Sequence, residues 1–436
     1  MKKVLIITYY WPPAGGPGVQ RVLKFAKYLP QFGWQPIILT VTKGVYPALD
    51  NSLLKEIPDG LKVFHSTCPE PDSLYKIFSG SGKNNSTPVG VLAGKNVSWK
   101  KRLAHNIRLN YFIPDAKKFW RRFAVNAGKN IIGQEKPDLI FSSSPPPTTH
   151  LIANDLAVKS GLPWIADFRD PWTKIHYYGE NRSKRAQKKD IALERKVLAN
   201  CSKAVCVSDH FAKLLECNDP TKIEIVQNGF DSQDFSAQQQ RPDKFKITYI
   251  GGLNPNRYYK SFFQHIHSLL ENKKIPAKEI ELGFAGQIDN TIKNELITLF
   301  SKFDILKFHG YLEHQQAIQL MQKSSLLLLF MENKGNYQGH LPGKLFEYLA
   351  SGTQVLGVGL SEGEASKILE QTKSGKIIDN QSDPSKLVLQ HYADWLGGNK
   401  PEPNQKLINK FERRQLTEKL AHIFDNIITD KEEPIS

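Results

Sequence analysis

The sequence predicts two doubly wound α/β domains, each a parallel sheet covered by helices on both faces. Three observations predict it. Short apolar runs alternate with stretches of helical periodicity through both halves of the 436-residue chain, the pattern of parallel strands joined by crossover helices. A polar stretch, Ser232–Asp243, containing Gln238-Gln239-Gln240, separates the two series and reads as an interdomain linker. The length itself fits two or three domains at roughly 100–200 residues each.

In the first half, Val4–Thr8 reads as a buried strand, followed by the loop Pro12-Pro13-Ala14-Gly15-Gly16-Pro17-Gly18. Val19, Val22, Leu23, Ala26 and Leu29 recur at helical spacing, and Gly33 is the stop. Pro36–Val41, Asp138–Ser142, Pro163–Phe168 and Ala204–Val207 are the next strands, with a helix over Thr148–Lys159. Ser79–Ser98, rich in Gly, Ser, Asn and Lys, reads as a surface loop or a partly disordered segment. The second half repeats the pattern. Its strands are Lys246–Ile250, Glu281–Ala285, Leu306–His309, Leu326–Phe330, Gln354–Val358 and Lys376–Ile378. Helical stretches lie near Tyr258–Leu270, Asn290–Phe303, His314–Lys323, Lys344–Ala350 and Glu364–Gln371. After Pro401-Glu402-Pro403, one helical segment runs from Gln405 to about Ile428. The expected domains are therefore residues 1–235 and 244–404, followed by a helical segment over 405–430.

Composition narrows the class. Hydrophobic residues are 40% and charged residues 23% of the chain, an ordinary globular mix in which each half can bury its own core. Cys68, Cys201, Cys206 and Cys217 form no C-x-x-C pair and no Cys/His set with zinc spacing, which fits reduced thiols in a cytosolic protein. The apolar run Val4–Ile7 is too short for the core of a signal peptide and is soon followed by Pro12-Pro13. The longest apolar run, Leu326–Met331, falls far below the ~20 residues of a membrane helix. A cytoplasmic location is expected.

The formal net charge of +16 is unevenly spread. Nine Lys or Arg residues and one acid, Asp115, lie between Lys95 and Arg122, with Trp99, Tyr111, Phe112, Phe119, Trp120 and Phe123 in or beside them. Seven basic residues against two acids follow between Arg182 and Lys196. Cations mixed with aromatics suit an anionic membrane surface, here the inner face of the cell membrane. The plainer alternative is solvated helix faces with the aromatics turned inward. No nucleic-acid motif accompanies the clusters, so no nucleic-acid partner is expected.

Three loops sit where an open α/β sheet binds ligands, at the carboxyl ends of strands, where helix N-termini also favour anions. Gly15-Gly16 follows the first strand and lets the backbone approach a phosphate or sugar, or simply makes a tight turn. It is not a G-x-G-x-x-G fingerprint. Ile250-Gly251-Gly252-Leu253 ends a strand in glycines, and Arg257 and Lys260 follow at the start of a helix, where they can neutralise a diphosphate leaving group. The third loop, Gly339-His340-Leu341-Pro342-Gly343-Lys344-Leu345-Phe346-Glu347, opens a helix after the apolar strand Leu326–Phe330. Gly343 lets that helix begin close to a ligand, Lys344 and the N-terminal amides favour phosphate, and Glu347, one turn on, can accept both hydroxyls of a ribose.

Together these residues resemble the retaining family 4 glycosyltransferases of the GT-B fold. The resemblance covers nearly the whole chain. It is carried by Pro12–Gly16, the run from Pro163 to Trp172 (Pro-Trp-Ile-Ala-Asp-Phe-Arg-Asp-Pro-Trp), Val226–Asp231, Tyr249–Gly252, Phe308–Leu312 and Pro342–Gly352. It implies two Rossmann-like domains facing each other across a cleft, the first reading the acceptor and the second holding the nucleotide sugar, with the final helix crossing back onto the first domain. It implies that Glu347 holds the ribose and that Arg257 and Lys260 face the pyrophosphate. Gly252, Gly343, Lys344 and Leu345 join the donor site, and Gly16 sits near the donor phosphates and the acceptor. It also implies retention of configuration.

Two departures from the family pattern bear on the site. The family often carries a second glutamate eight positions before the ribose glutamate, facing the transferred sugar. Gly339 stands there, and backbone groups of His340–Gly343 are the expected replacement. Many members also have a histidine in the loop that here reads Phe168-Arg169-Asp170, and Arg169 takes its place. Acceptor positioning then falls to Asp170, with Asp167 as the alternative. His150 is a further candidate to face the cleft, against its reading as an ordinary helix histidine. The expected catalytic set is Asp170, Arg169 and His150.

No D-x-D sequence occurs, so the cations and helix amides are expected to neutralise the diphosphate without a metal ion, and no cofactor is expected beyond the nucleotide sugar. The expected reaction transfers a sugar from a UDP- or GDP-sugar to a hydroxyl of a glycan or lipid-linked acceptor, in cell-surface polysaccharide or glycolipid synthesis. No carboxylate nucleophile is evident, which favours front-face attack assisted by the leaving phosphate. The rival readings are a sugar-nucleotide epimerase of the same fold and a non-catalytic module docking on membrane or RNA.

Overall fold

A computed structural model describes residues 1–46, 48–69, 106–107, 109–174, 182–235, 241–332 and 337–432. The chain divides into two compact units, Met1–Gln227 with Arg413–Ser436, and Asn228–Glu412.

The first unit is built on a seven-stranded parallel sheet. Its strands are β1 (Lys2–Thr8), β2 (Trp34–Val41), β3 (Lys62–Ser66), β4 (Leu139–Ser144), β5 (Trp164–Phe168), β6 (Lys203–Cys206) and β7 (Ile223–Ile225), in the order β3-β2-β1-β4-β5-β6-β7. Alternation along each strand sorts the core into two layers. Leu5 and Ile7 face the layer that holds the helices Trp120–Glu135, Thr148–Ser160 and Lys184–Asn200. Val4 and Ile6 face the helices Pro17–Tyr28 and Arg413–Glu432. The last helix is tied down by Trp34, whose ring meets Phe424 edge-on at 5.2 Å and whose Nε1 donates to Asp425 Oδ1 at 3.0 Å.

The second unit holds a six-stranded parallel sheet of β8 (Phe245–Ile250), β9 (Ile280–Ala285), β10 (Leu306–Gly310), β11 (Leu326–Phe330), β12 (Gln354–Val358) and β13 (Gly375–Ile378), in the order β10-β9-β8-β11-β12-β13. Ile247 and Tyr249 pack on Lys260–Glu271, Asn290–Leu299 and Ser385–Gly397. Ile250, Leu327 and Leu329 pack on His314–Gln322, Gly343–Ser351 and Glu364–Gln371. All five residues of β11 are buried, as expected of a strand covered on both faces.

Both sheets are doubly wound. Strand order reverses between β1 and β4 in one and between β8 and β11 in the other. Such switch points open crevices at the carboxyl ends of the strands.

The structure departs from the sequence reading in several places. The edge strands β3 and β7 escape it because both are short and mostly half-exposed, so neither needs an apolar run. The helices Trp120–Glu135, Lys184–Asn200 and Ser385–Gly397 are additional. The single terminal segment is two helices, Gln405–Asn409 and Arg413–Glu432. The break falls where Phe230 N donates to Phe411 O at 3.1 Å, which diverts that carbonyl from a helical bond. The proposed loop Ser79–Ser98, the middle of the polar stretch (236–240) and residues 95–105 and 108 of the first basic cluster lie outside the described residues. Among the described residues, no helix is long and apolar enough to cross a membrane.

Candidate functional site

The switch point of the second sheet gathers the charged residues of two loops. Strand β8 ends at Ile250, and Gly251 follows with φ 123°. A side chain on Gly251 would meet Lys344 Nζ at 3.5 Å, and one on Gly286 would run into the Gly251 carbonyl oxygen at 2.4 Å. These two glycines let the β8 and β9 loops close on each other beside Lys344.

Lys344 is the second residue of the helix Gly343–Ser351, whose N-terminus carries no side-chain cap. Its ammonium donates to Ile250 O at 3.0 Å and stands 4.0 Å from the centroid of the Tyr249 ring. Burial pushes the Lys344 amine down to about 7; the Arg257 charge pushes the same way, and the Glu347 carboxylate opposes both. Tyr348 locks this corner: its hydroxyl accepts from Ile250 N at 3.2 Å and reaches Leu328 O at 3.4 Å, joining the strands that flank the switch point.

Arg257 closes a short 3-10 turn, Pro255–Arg257, capped by the Asn254 side chain. Its Nε lies 3.3 Å from Glu332 Oε1. Glu332 is buried two residues beyond β11. Glu347, one turn into the helix Gly343–Ser351, faces His314, with Nε2 to Oε1 at 3.0 Å. The site thus pairs two cations, Lys344 and Arg257, with two carboxylates and a histidine at the end of one sheet. Uncapped helix amides and cations suit a diphosphate, and a partly open carboxylate suits vicinal hydroxyls.

Of the donor residues expected from sequence, Arg257, Lys344, Glu347 and the backbone of Gly252 and Gly343 come together here. Two do not fit as expected. Lys260 is more than half exposed and pairs instead with Glu295 at 2.7 Å, because it opens the neighbouring helix on the side facing Asn290–Leu299. The Leu345 side chain is fully buried in the core, and its amide already donates to Pro342 O at 2.9 Å. Sequence reasoning missed Glu332 and His314. The available signal for Glu332 was its place two residues after the strand at the switch point. For His314 it was a position at the start of the helix after β10.

In the first unit, the residues expected to act on the acceptor play other parts. His150 is wholly buried. Its Nδ1 shares a 2.8 Å hydrogen bond with Ser142 Oγ, and its ring lies 4.5 Å from that of Phe168. Burial pushes it down to about 3, so the imidazole is neutral. It is a core histidine in this structure, which removes it from the side chains a substrate can touch. Asp167 is equally enclosed: it takes a two-pronged ion pair from Arg21, at 3.0 and 2.7 Å, and a hydrogen bond from Ser143 Oγ at 2.7 Å. Arg21 also donates to Val226 O and Gln227 O, so this pair clamps the first helix to the end of the sheet.

Arg169 is nearly buried, and its guanidinium is spent on backbone carbonyls. It donates to Ser144 O at 2.7 Å, Pro145 O at 2.8 Å and Gly18 O. It therefore positions the loops after β1, β4 and β5 rather than presenting a charge. Asp170 beside it stays partly exposed, with its carboxyl raised by burial and held back by Arg169. Gly16 is exposed at the N-cap of the helix Pro17–Tyr28. Asp170 and Gly16 are the two expected residues of this unit that remain open to a ligand.

A buried polar group underlies the same loop. Asp190 accepts from Trp172 Nε1 at 2.9 Å and pairs with Arg182, and burial lifts it to about 6. Glu194, one turn on, accepts from Thr173 Oγ1 at 2.5 Å, and burial lifts it to about 7. The loop after β5 is fastened from beneath by these side chains.

Two Rossmann-like units with parallel sheets of seven and six strands define the GT-B class of fold. A family model described as Glycosyltransferase Family 4 matches residues 88–234, about a third of the chain. No curated protein sequence matches. Among similar solved structures, Anabaena HepE in complex with UDP shares 13% identity, with a TM-score of 0.62 over 98% of this chain and 100% of that one. A sucrose-phosphate synthase from Thermosynechococcus elongatus shares 11% identity, with a TM-score of 0.62 over 99% and 100%. A putative UDP-N-acetylglucosamine 2-epimerase from Listeria monocytogenes shares 12% identity, with a TM-score of 0.56 over 99% and 98%. At these identities the likeness is one of fold.

Proposed function

We propose that the protein is a glycosyltransferase that moves a sugar from a UDP- or GDP-sugar to a hydroxyl of a glycan or lipid-linked acceptor. The observation that carries this reading is the grouping of Lys344, Arg257 and Glu347 around an uncapped helix N-terminus at the β8/β11 switch point. The match of residues 88–234 to Glycosyltransferase Family 4 supports it, as does the fold shared with a UDP complex.

The chemistry follows from the groups present. The bond between the anomeric carbon and the diphosphate oxygen breaks, positive charge grows on the sugar, and negative charge grows on the departing diphosphate. Lys344, Arg257 and the amides at Gly343 stabilise that departing charge, the main electrostatic task of such a site. They do so without a metal ion in this reading, so chelation leaves the rate unchanged. Glu347 fixes the nucleoside through its ribose. The acceptor hydroxyl attacks the anomeric carbon and passes its proton to the departing diphosphate oxygen, with Asp170 the residue of the first unit that orients the acceptor. The transfer retains configuration by front-face attack. The reading places the enzyme on the cytoplasmic side of the membrane, in synthesis of surface polysaccharide or glycolipid.

Incubation with radiolabelled UDP- and GDP-sugars, with and without a lipid extract, tests this. Label passing to the extract, unaffected by EDTA, is the expected result. Conversion of the donor alone would identify an epimerase, and an unchanged donor in every mixture would remove the enzyme reading.

A further inference from the structure

We infer that His314 is a positioning residue: its imidazole holds one oxygen of the Glu347 carboxylate so that the other is presented to the paired hydroxyls of a nucleoside ribose. The inference rests on the nucleotide reading above and adds the residue that sets its selectivity for ribose.

The geometry begins with two helices fixed independently. His314 is the first residue of the helix His314–Gln322, whose start is pinned by a capping box. The Glu313 side chain accepts from the third helical amide, and the Gln316 side chain reaches back to Glu313 N. Such reciprocal capping fixes the first turn, and with it the backbone from which His314 projects. Glu347 projects from the helix Gly343–Ser351, which packs on the first through Ile318, Met321, Leu345 and Leu349. Neither backbone can drift without opening that core.

Between the two helices, His314 Nε2 and Glu347 Oε1 stand 3.0 Å apart. An ionised carboxylate only accepts, so Nε2 carries the proton and donates it to Oε1. The hydrogen bond removes the torsional freedom that a glutamate on a helix surface otherwise keeps. The side chains retain 15% and 23% of their surface for His314 and Glu347, so the pair is sheltered and yet open on one side. Among the described residues, Oε2 makes no hydrogen bond. The result is a carboxylate with one oxygen anchored and one offered, on the same helix as Lys344. A ligand whose phosphates lie at Lys344 meets that free oxygen one helical turn further along, where a nucleoside diphosphate carries its sugar.

A mere packing role for His314 would lower stability without changing which sugar is preferred. Positioning predicts a change in selectivity. The test is calorimetric titration of the full chain with UDP and 2′-deoxy-UDP, and with GDP and 2′-deoxy-GDP, for wild type, His314→Ala, His314→Gln, His314→Phe and Glu347→Ala. Wild type is expected to favour the ribonucleotide, and Glu347→Ala to lose that preference. His314→Ala is expected to reduce the preference by about 3- to 10-fold, the range of one hydrogen bond. His314→Gln, whose amide can still donate, is expected to keep most of it. If His314→Ala is poorly folded, a His314→Phe protein, which keeps a ring but cannot donate, that retains the preference overturns the inference alone. So does a His314→Ala protein that keeps it while Glu347→Ala loses it. Preference retained by Glu347→Ala overturns both the inference and the ribose role on which it rests.

Discussion

Lys344 holds its ammonium 4.0 Å above the centre of the Tyr249 ring, in a corner where it donates to the Ile250 carbonyl at 3.0 Å. A cation held there has lost part of its water and gained one carbonyl and one aromatic face. Arg257 adds repulsion, and the attraction of Glu347 only partly offsets it. The free site therefore waits with a weakly basic amine where a dianion is expected.

Binding of a diphosphate should pull a proton onto Lys344. Its amine sits at about 7 in the free protein, and an adjacent anion favours the charged form, raising that value in the complex. Affinity is then greatest below pH 7 and falls as pH rises from 7 through the higher value of the complex. Calorimetry of UDP at pH 7.5, in buffers of different ionisation enthalpy, should show proton uptake by the protein. Lys344→Met should abolish that uptake and weaken binding. Uptake that persists in Lys344→Met would assign the proton elsewhere.

Breaking the Arg21–Asp167 pair should cost far more than its surface counterparts. Both side chains are fully buried, and Arg21 also serves two carbonyls beyond β7. Removing one partner of a buried pair typically costs about 3–5 kcal/mol, because the other charge is stranded. Arg21→Met should lower the unfolding free energy of the first unit by about that amount in urea. A loss below about 1 kcal/mol would mean that the pair does not clamp the helix.

How much of this was open to sequence reasoning depends on what each residue had to do. Strands buried on both faces, such as Leu326–Phe330, were legible because burial demands an unbroken apolar run. The helix Gly343–Ser351 was legible because Gly343 and Gly352 mark its two ends. The edge strands Lys62–Ser66 and Ile223–Ile225 carry no such demand and left no signal. At the site, Lys344 and Glu347 share one helix, so their relation could be read from spacing. His314 and Glu332 reach the same place from separate strand ends, and their pairing depends on strand order in the sheet, which spacing does not reveal. His150 and Asp167 were misjudged for a related reason. Being polar and near a strand end, they looked available, but the core encloses both, with Ser142 bonded to one nitrogen of His150 and Arg21 paired with Asp167.

Glu194 should make the first unit sensitive to pH. Burial raises its carboxyl from 4.5 to about 7, with Thr173 opposing and Asp190 and Glu216 adding to the rise. The folded state therefore holds this proton more tightly than the unfolded chain. The associated stability is fully present below about pH 4.5 and is lost as pH rises through about 7. Glu194→Gln can keep a hydrogen bond with Thr173 and has no charge to bury. Its melting temperature should gain on wild type as pH rises from 5 to 8. A difference that does not vary with pH would show that Glu194 is ionised throughout.

The face around Phe119 should bind anionic lipid. Tyr111, Phe119 and Phe123 are exposed, and Lys118 lies 4.7 Å from the Phe112 ring and 5.2 Å from that of Phe119. Basic residues near an anionic surface contribute about 1 kcal/mol each. Sedimentation with phosphatidylglycerol vesicles should pellet the protein, phosphatidylcholine vesicles should not, and Phe119→Ser with Lys118→Ala should reduce pelleting. Equal pelleting with both lipids would rule out a charge-driven contact.

The most direct measurement is calorimetric titration of UDP and GDP into wild type and Glu347→Ala, each in magnesium and in EDTA. Wild type should bind one of the two nucleotides equally well in both buffers. Glu347→Ala should lose about 1.5–3 kcal/mol, the worth of a hydrogen bond to a charged group. No binding by wild type in either buffer, or identical binding by the variant, would contradict a nucleotide site at Lys344 and Glu347.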